Sequence, residues 1–111
     1  MLDNIFKFLA ATFFAIAIAV HIYGLLYPFS SESTASHIAH LLSYSVCLFA
    51  VLKHIKRAHF IYFLAAMYPI YYHAGCARNA EGSFNAICVF VVLFMSAVTI
   101  WMFYNNRSEQ S

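Results

Sequence analysis

Four histidines lie near the ends of apolar segments in this 111-residue chain. His37 and His40 are three residues apart at the start of one segment, while His21 and His73 come near the ends of two others. Imidazole is costly to bury in hydrocarbon without a partner, so a histidine in such a segment indicates a functional site. We predict that a transition-metal site near one end of these segments binds or passes the metal through ligands His21, His37, His40 and His73.

The neighbouring residue types narrow the choice of ion. Cys76 and Cys88 fall at the same level as the histidines and are candidate further ligands. Neutral imidazoles with nearby thiols favour Zn²⁺ or copper. No acidic residue lies inside an apolar segment, since Asp3, Glu32, Glu81 and Glu109 are terminal or in loops. Mg²⁺ and Ca²⁺, which require oxygen ligands, are therefore disfavoured, and so is a transporter driven by a membrane carboxylate.

Two other functions fit the same residues. The first is electron transfer through haem b held by two of the histidines, with Gly24, Ala66 and Gly75 leaving room for the porphyrin. The second is an accessory role without any site, in which the chain packs against itself or a larger membrane partner. Small residues at four-residue spacing, Ala11, Ala15 and Ala19, would suit such an interface.

The cysteines allow a further alternative. Cys76 and Cys88 flank a polar loop, and in an oxidising compartment they could form a disulfide. A disulfide and thiol ligation exclude one another. Cys47 lies in the middle of its segment and is expected to be a small core residue.

The composition indicates lipid as the main solvent of the chain. Hydrophobic residues make up 64% and charged residues 9%, against about a quarter charged in soluble domains. The net charge of +2 gives no indication of nucleic-acid binding. No serine–histidine–aspartate set, paired carboxylates or phosphate-binding glycine loop is present, so the pattern gives no support for a hydrolytic enzyme.

These features predict an all-α polytopic membrane protein with four antiparallel transmembrane helices in a bundle. At 1.5 Å per residue, each apolar segment approaches or exceeds the length needed to cross a hydrocarbon core of about 30 Å. A kink is expected at Pro69. A signal peptide ending near Ala19 is the competing interpretation of the first segment, although the apolar run continues beyond it. The predicted domain is 1–104, with spans at about 5–27, 36–52, 58–77 and 84–104 and a short cytoplasmic tail at 105–111.

The basic residues predict the orientation. Most flank one side of the membrane: Lys7, Lys53, Lys56, Arg57 and Arg107. Only Arg78 lies on the other side. The positive-inside rule therefore predicts a multi-pass protein of the inner (cytoplasmic) membrane with both termini cytoplasmic. The four candidate histidines then share the outer side, whereas His54 and His59 flank a cytoplasmic turn and are expected to be solvated.

Helical periodicity suggests which histidines matter most. On the second helix His40 falls within an arc of small and polar residues, while His37 and Tyr44 lie at its edge. On the third helix His73 shares a face with Pro69 and Cys76. We therefore expect His40 and His73 to form the central pair.

The layout resembles small bacterial inner-membrane proteins of four helices that have no assigned function. The matching features are a histidine at the head of the second helix, here His37 or His40, and a Tyr-x-His-Gly-like sequence closing the third. Here that sequence is Tyr71-Tyr72-His73-Ala74-Gly75, in which Ala74 is inserted before the glycine. The resemblance covers about the middle half of the chain and implies the fold alone.

Overall fold

The chain forms four α-helices in a computed structural model that describes residues 2–27, 32–53, 56–79 and 82–110. None of these residues lies in a strand, which confirms the all-α class. Residues 105–110, which were predicted to form a tail outside the last helix, belong to that helix. The helices are α1 (Leu2–Leu26), α2 (Thr34–Leu52), α3 (Ala58–Asn79) and α4 (Ser83–Gln110).

Local sequence explains the starts of two helices, α2 and α4. Ser33 is the N-cap of α2, and its hydroxyl accepts a hydrogen bond of 3.1 Å from the Ser36 backbone N–H. This satisfies one of the amide donors that a helix start leaves unpaired. Before α4, Gly82 has a φ of 70°, a conformation that glycine adopts without steric cost.

Three of the helices are long and apolar enough to cross a membrane. These segments are Asn4–Leu26, Thr34–Leu52 and Asn85–Asn105. α3 has 22 residues but is more polar, because it contains four tyrosines, two histidines and Pro69. Length and composition therefore support three spans, and the fourth stays a prediction.

Helices adjacent in sequence pack closely against each other, in the order α1, α2, α3, α4. The fully buried side chains include Phe14, Tyr44, Tyr62 and Met95. Between α1 and α4 the contact is made by aromatic side chains, with the Phe13 and Phe94 ring centroids 4.6 Å apart. α1 and α4 pack less closely against each other than the helices adjacent in sequence do.

The buried face of α2 is rotated relative to the face predicted from the sequence. His37, expected at the edge, is only 4% exposed, while Ser43 is half-buried. Tyr44, also expected at the edge, is fully buried. His40 and Cys47 lie on the buried face as expected. The position of His37 removes the reason for ranking it below His40.

The prediction that His59 is solvated is wrong. Its side chain is 6% exposed and packs against Phe103 of α4, with ring centroids 4.8 Å apart. Burial between two apolar helices explains the difference, because the first turn of α3 already lies against α4. His54 lies outside the described residues.

A buried hydrogen bond connects α3 to α4. The Tyr62 hydroxyl donates to the Met95 backbone carbonyl over 3.0 Å. The Thr99 hydroxyl donates to the same carbonyl over 2.8 Å. One buried acceptor thus satisfies two hydroxyl groups from different helices.

Replacing Tyr62 by phenylalanine should lower the free energy of unfolding by about 1 kcal/mol. The loss stays small because Thr99 still satisfies the Met95 carbonyl. Denaturant titration in detergent, read by circular dichroism, measures it. Tyr71→Phe is the matched control, since Tyr71 is exposed; equal losses in both variants would contradict a stabilising role for the Tyr62 bond.

Candidate metal centre

The four histidines predicted as ligands come together from three helices. The Nδ1 atoms of His21 on α1 and His37 on α2 are 2.8 Å apart. The His21 and His40 rings are stacked, with centroids 4.5 Å apart. His73 on α3 approaches His40 edge-on at a centroid distance of 5.3 Å. His40 is therefore the ring that contacts both other helices.

A carboxylate from the segment that precedes α2 completes the group. The Glu32 side chain is 10% exposed, and one of its oxygens accepts a hydrogen bond of 2.7 Å from His40 Nδ1. The same oxygen is 3.7 Å from His21 Nδ1, and the other oxygen is 3.7 Å from His37 Nδ1. We call Glu32 with His21, His37, His40 and His73 the histidine cluster.

The position of Glu32 follows from a spacing that could have been noticed in the sequence. Glu32, Ser36 and His40 are four residues apart, so a residue just before α2 extends the side that carries His40. The Ser36 hydroxyl donates to Glu32 over 2.7 Å. The Tyr68 hydroxyl, 3.0 Å from Ser36 Oγ, must then donate to that oxygen. Glu32 is held by hydrogen-bonded groups from both α2 and α3.

Three members of the cluster have the spacing of a metal site. One ligand atom each from His21, Glu32 and His40 lies within 4.8 Å of the others. A tetrahedral ion with bonds near 2.0–2.2 Å holds its ligand atoms about 3.4 Å apart. Closing the largest separation from 4.8 Å to that value needs a movement of about 1.4 Å at most. His37, beside both His21 and Glu32, is the nearest further ligand.

In His40 and His73 one ring nitrogen donates a hydrogen bond to a protein acceptor, which leaves the other ring nitrogen available to bind an ion. His73 Nδ1 donates to the Pro69 carbonyl over 2.8 Å, as His40 Nδ1 does to Glu32. Metal-binding histidines commonly have this arrangement, in which an acceptor holds one N–H and the other nitrogen faces the ion. His40 Nε2 is buried and has no hydrogen-bond partner among the described residues. A ligand would satisfy that atom.

The cysteines lie beside the cluster. All three thiols are free, so the disulfide considered between Cys76 and Cys88 is not formed. Cys88 is fully buried, and the hydrogen bond from the Asn85 side chain to the Ala77 carbonyl holds this part of α4 against the part of α3 that carries Cys76. Cys47 is buried in the core as expected.

A cavity of about 720 Å³ adjoins the cluster on the α1–α4 side. Its polar end contains His21, Glu32, His37 and His73. Its other walls are mainly apolar, from α1 and α4: Phe13, Ile16, Ala17, Val20, Ile87, Phe90 and Val91. The cluster is thus reached from a space with apolar walls.

Gly24 makes room for His37. A Cβ atom at Gly24 would lie 2.6 Å from His37 Cε1 and 2.8 Å from Nε2. Any larger residue would displace the ring and with it the contact to His21. At Gly75 an added Cβ would meet nothing within 4 Å, so the two glycines differ in their role.

Gly24→Ala and Gly75→Ala should therefore shift stability in opposite directions. Alanine in a helix is favoured over glycine by about 1 kcal/mol, a gain that only Gly75→Ala should show. At Gly24 the clash of about 1–3 kcal/mol exceeds that gain. Midpoints of thermal unfolding in detergent would test this, and a stabilised Gly24→Ala variant would contradict the packing of His37 on Gly24.

Comparison with models of protein families, with curated proteins and with solved structures finds no match to this chain. The chemistry of the histidine cluster must therefore follow from its own residues and geometry.

Proposed function

We propose that the chain is a membrane protein that binds a divalent transition-metal ion at the histidine cluster. The observation that carries this proposal is the convergence of ligand atoms from His21, Glu32 and His40, which belong to α1, the segment before α2, and α2. These ligand atoms come from residues in different parts of the chain, so their proximity does not arise simply from the spacing of residues along one helix.

An ion accounts for features that an isolated ion pair does not. A bond between Glu32 and a protonated His40 would satisfy only one side of that ring, leaving buried Nε2 without a partner among the described residues. One protonated histidine would be enough to neutralise the charge of Glu32, so an ion pair does not explain why several imidazoles surround this carboxylate. A bound cation uses the lone pairs of the neutral rings and the charge of Glu32 together.

The ligand types favour some ions over others. Two histidines and a carboxylate with an open position occur at catalytic Zn²⁺ sites and at non-haem Fe²⁺ sites. Glu32 therefore adds Fe²⁺ to the Zn²⁺ and copper expected from imidazoles and thiols. The packing of the rings supports a compact ion over haem b, because the His21 and His40 rings are stacked without a gap for a porphyrin.

The membrane setting of the site is part of the proposal. Large apolar side chains are exposed on all four helices, including Phe8, Leu42, Leu64 and Ile100, as expected for surfaces that face lipid. We infer that α3 is the fourth span, because it packs closely against both α2 and α4. The distribution of basic residues then orients the cluster toward the outer side of the inner membrane.

Protein purified without a histidine tag should contain bound metal, measured by inductively coupled plasma mass spectrometry. His40→Ala should lose it, because this ring contacts His21, Glu32 and His73. Glu32→Gln should lower the affinity at least about tenfold, whether the carboxylate binds the ion or orients His40.

His59→Ala is the matched control, since it removes a buried histidine at the other end of α3. Its metal content should equal that of the wild type. Equal, negligible metal in the wild type and His40→Ala, after incubation with Zn²⁺ and Fe²⁺, would remove the proposal.

Loss of His40 and of His73 should be non-additive. If both rings serve one ion, the double variant His40→Ala/His73→Ala should have no lower metal content or thermal stability than the more affected single variant. Additive losses in stability would instead identify two independent structural histidines. Thermal unfolding with and without added metal separates these outcomes.

A further inference from the structure

A pair of thiols lies beside the cavity and is not needed by the metal site. Cys76 on α3 lines the cavity. Cys88 on α4 is fully buried and lies one helical turn after Asn85, whose side-chain amide donates to the carbonyl of Ala77, the residue after Cys76, so the two cysteines lie at the same level of two packed helices. Both are free, so the two helices hold a dithiol next to a space that can receive a ligand.

The walls of the cavity indicate a lipid-soluble ligand. Ile16 and Val20 on α1 and Ile87 and Phe90 on α4 line the cavity between two helices that do not pack closely against each other. These four side chains are also exposed on the outer, apolar surface. A molecule dissolved in the bilayer can enter between them, whereas a charged peptide such as glutathione would have to leave water at high cost.

The polar end of the cavity suits a ring that carries oxygen acceptors. Tyr72 lies there, one helical turn before Cys76, and its hydroxyl can donate a hydrogen bond to such an acceptor. Phe13 and Phe90 provide aromatic surface on the adjoining walls. Flat rings pack well against such side chains, and a volume of about 720 Å³ is in the range of small-molecule sites.

We propose that this cavity binds a membrane quinone, and that Cys76 and Cys88 reduce it as a dithiol. Both S–H bonds break and one S–S bond forms between Cys76 and Cys88. The two electrons and two protons pass to the quinone, whose two carbonyl groups become the hydroxyl groups of a quinol. Cys76 faces the ligand, and Cys88 supplies the second thiol from the buried side.

Reaction with decylubiquinone tests the proposal. The full-length protein, reduced and then freed of reductant without oxygen, is mixed with the quinone in the presence of a metal chelator. Quinol formation is followed by ultraviolet absorbance and the Cys76–Cys88 disulfide by mass spectrometry of peptides. One quinol should form for each disulfide. Because the chelator removes bound metal, the outcome is independent of the metal site.

Cysteine variants give matched controls. Cys88→Ser and Cys76→Ser should each abolish quinol formation. Cys47→Ser removes a buried thiol of the core, and it should react as the wild type does. Quinol formation by Cys88→Ser at the wild-type rate would overturn the assignment of the dithiol.

A cavity variant separates binding of the quinone from reactivity of the thiols. Ala17→Phe places a ring in the cavity, so reaction with decylubiquinone should be lost. Diamide, a small general thiol oxidant, should still form the Cys76–Cys88 disulfide in this variant. If diamide forms the disulfide in the wild type but decylubiquinone yields no quinol, the cavity is not a quinone site and the proposal fails.

Discussion

The hydrogen bond between Glu32 and His40 is the interaction around which one end of the molecule is arranged. A carboxylate with so little exposure requires hydrogen-bond partners or a counter-charge. The Ser36 hydroxyl donates to Glu32 and accepts a hydrogen bond from Tyr68. His21 and His37 lie close enough to Glu32 to share its charge. Helices α1, α2 and α3 thus meet at one acidic side chain. Elsewhere among the described residues the core is mainly aromatic and aliphatic.

The helices and the convergence of the histidines could be predicted because both depend on hydrophobic periodicity. Apolar runs mark the helices, and short connections make successive helices neighbours, which brings His21, His40 and His73 to one level. The burial of Cys47 follows from the same periodicity. These features need only the positions of residues along each helix.

Other features depend on how the helices turn relative to each other. A small rotation of α2 carries His37 from the edge into the interior, where the missing side chain of Gly24 accommodates its ring. Glu32 was expected in a loop because it lies between two apolar segments; it does precede α2, but its four-residue spacing to Ser36 places it on the side of His40. His59 is buried by Phe103, a contact between α3 and α4 that periodicity within α3 does not reveal. Such contacts are decided by tertiary packing.

The sequential packing of the helices has a consequence for the order of assembly. Every member of the histidine cluster lies in the first 73 residues of the chain, so the ligand set is complete before α4 is synthesised. α4 contributes Cys88 and one wall of the cavity, and it packs mainly on α3. Because domains acquire structure from the N-terminal end during synthesis, a nascent chain of three helices would already hold the metal ligands. The contact between α1 and α4 would form last, and with it the cavity that a ligand from the bilayer would enter.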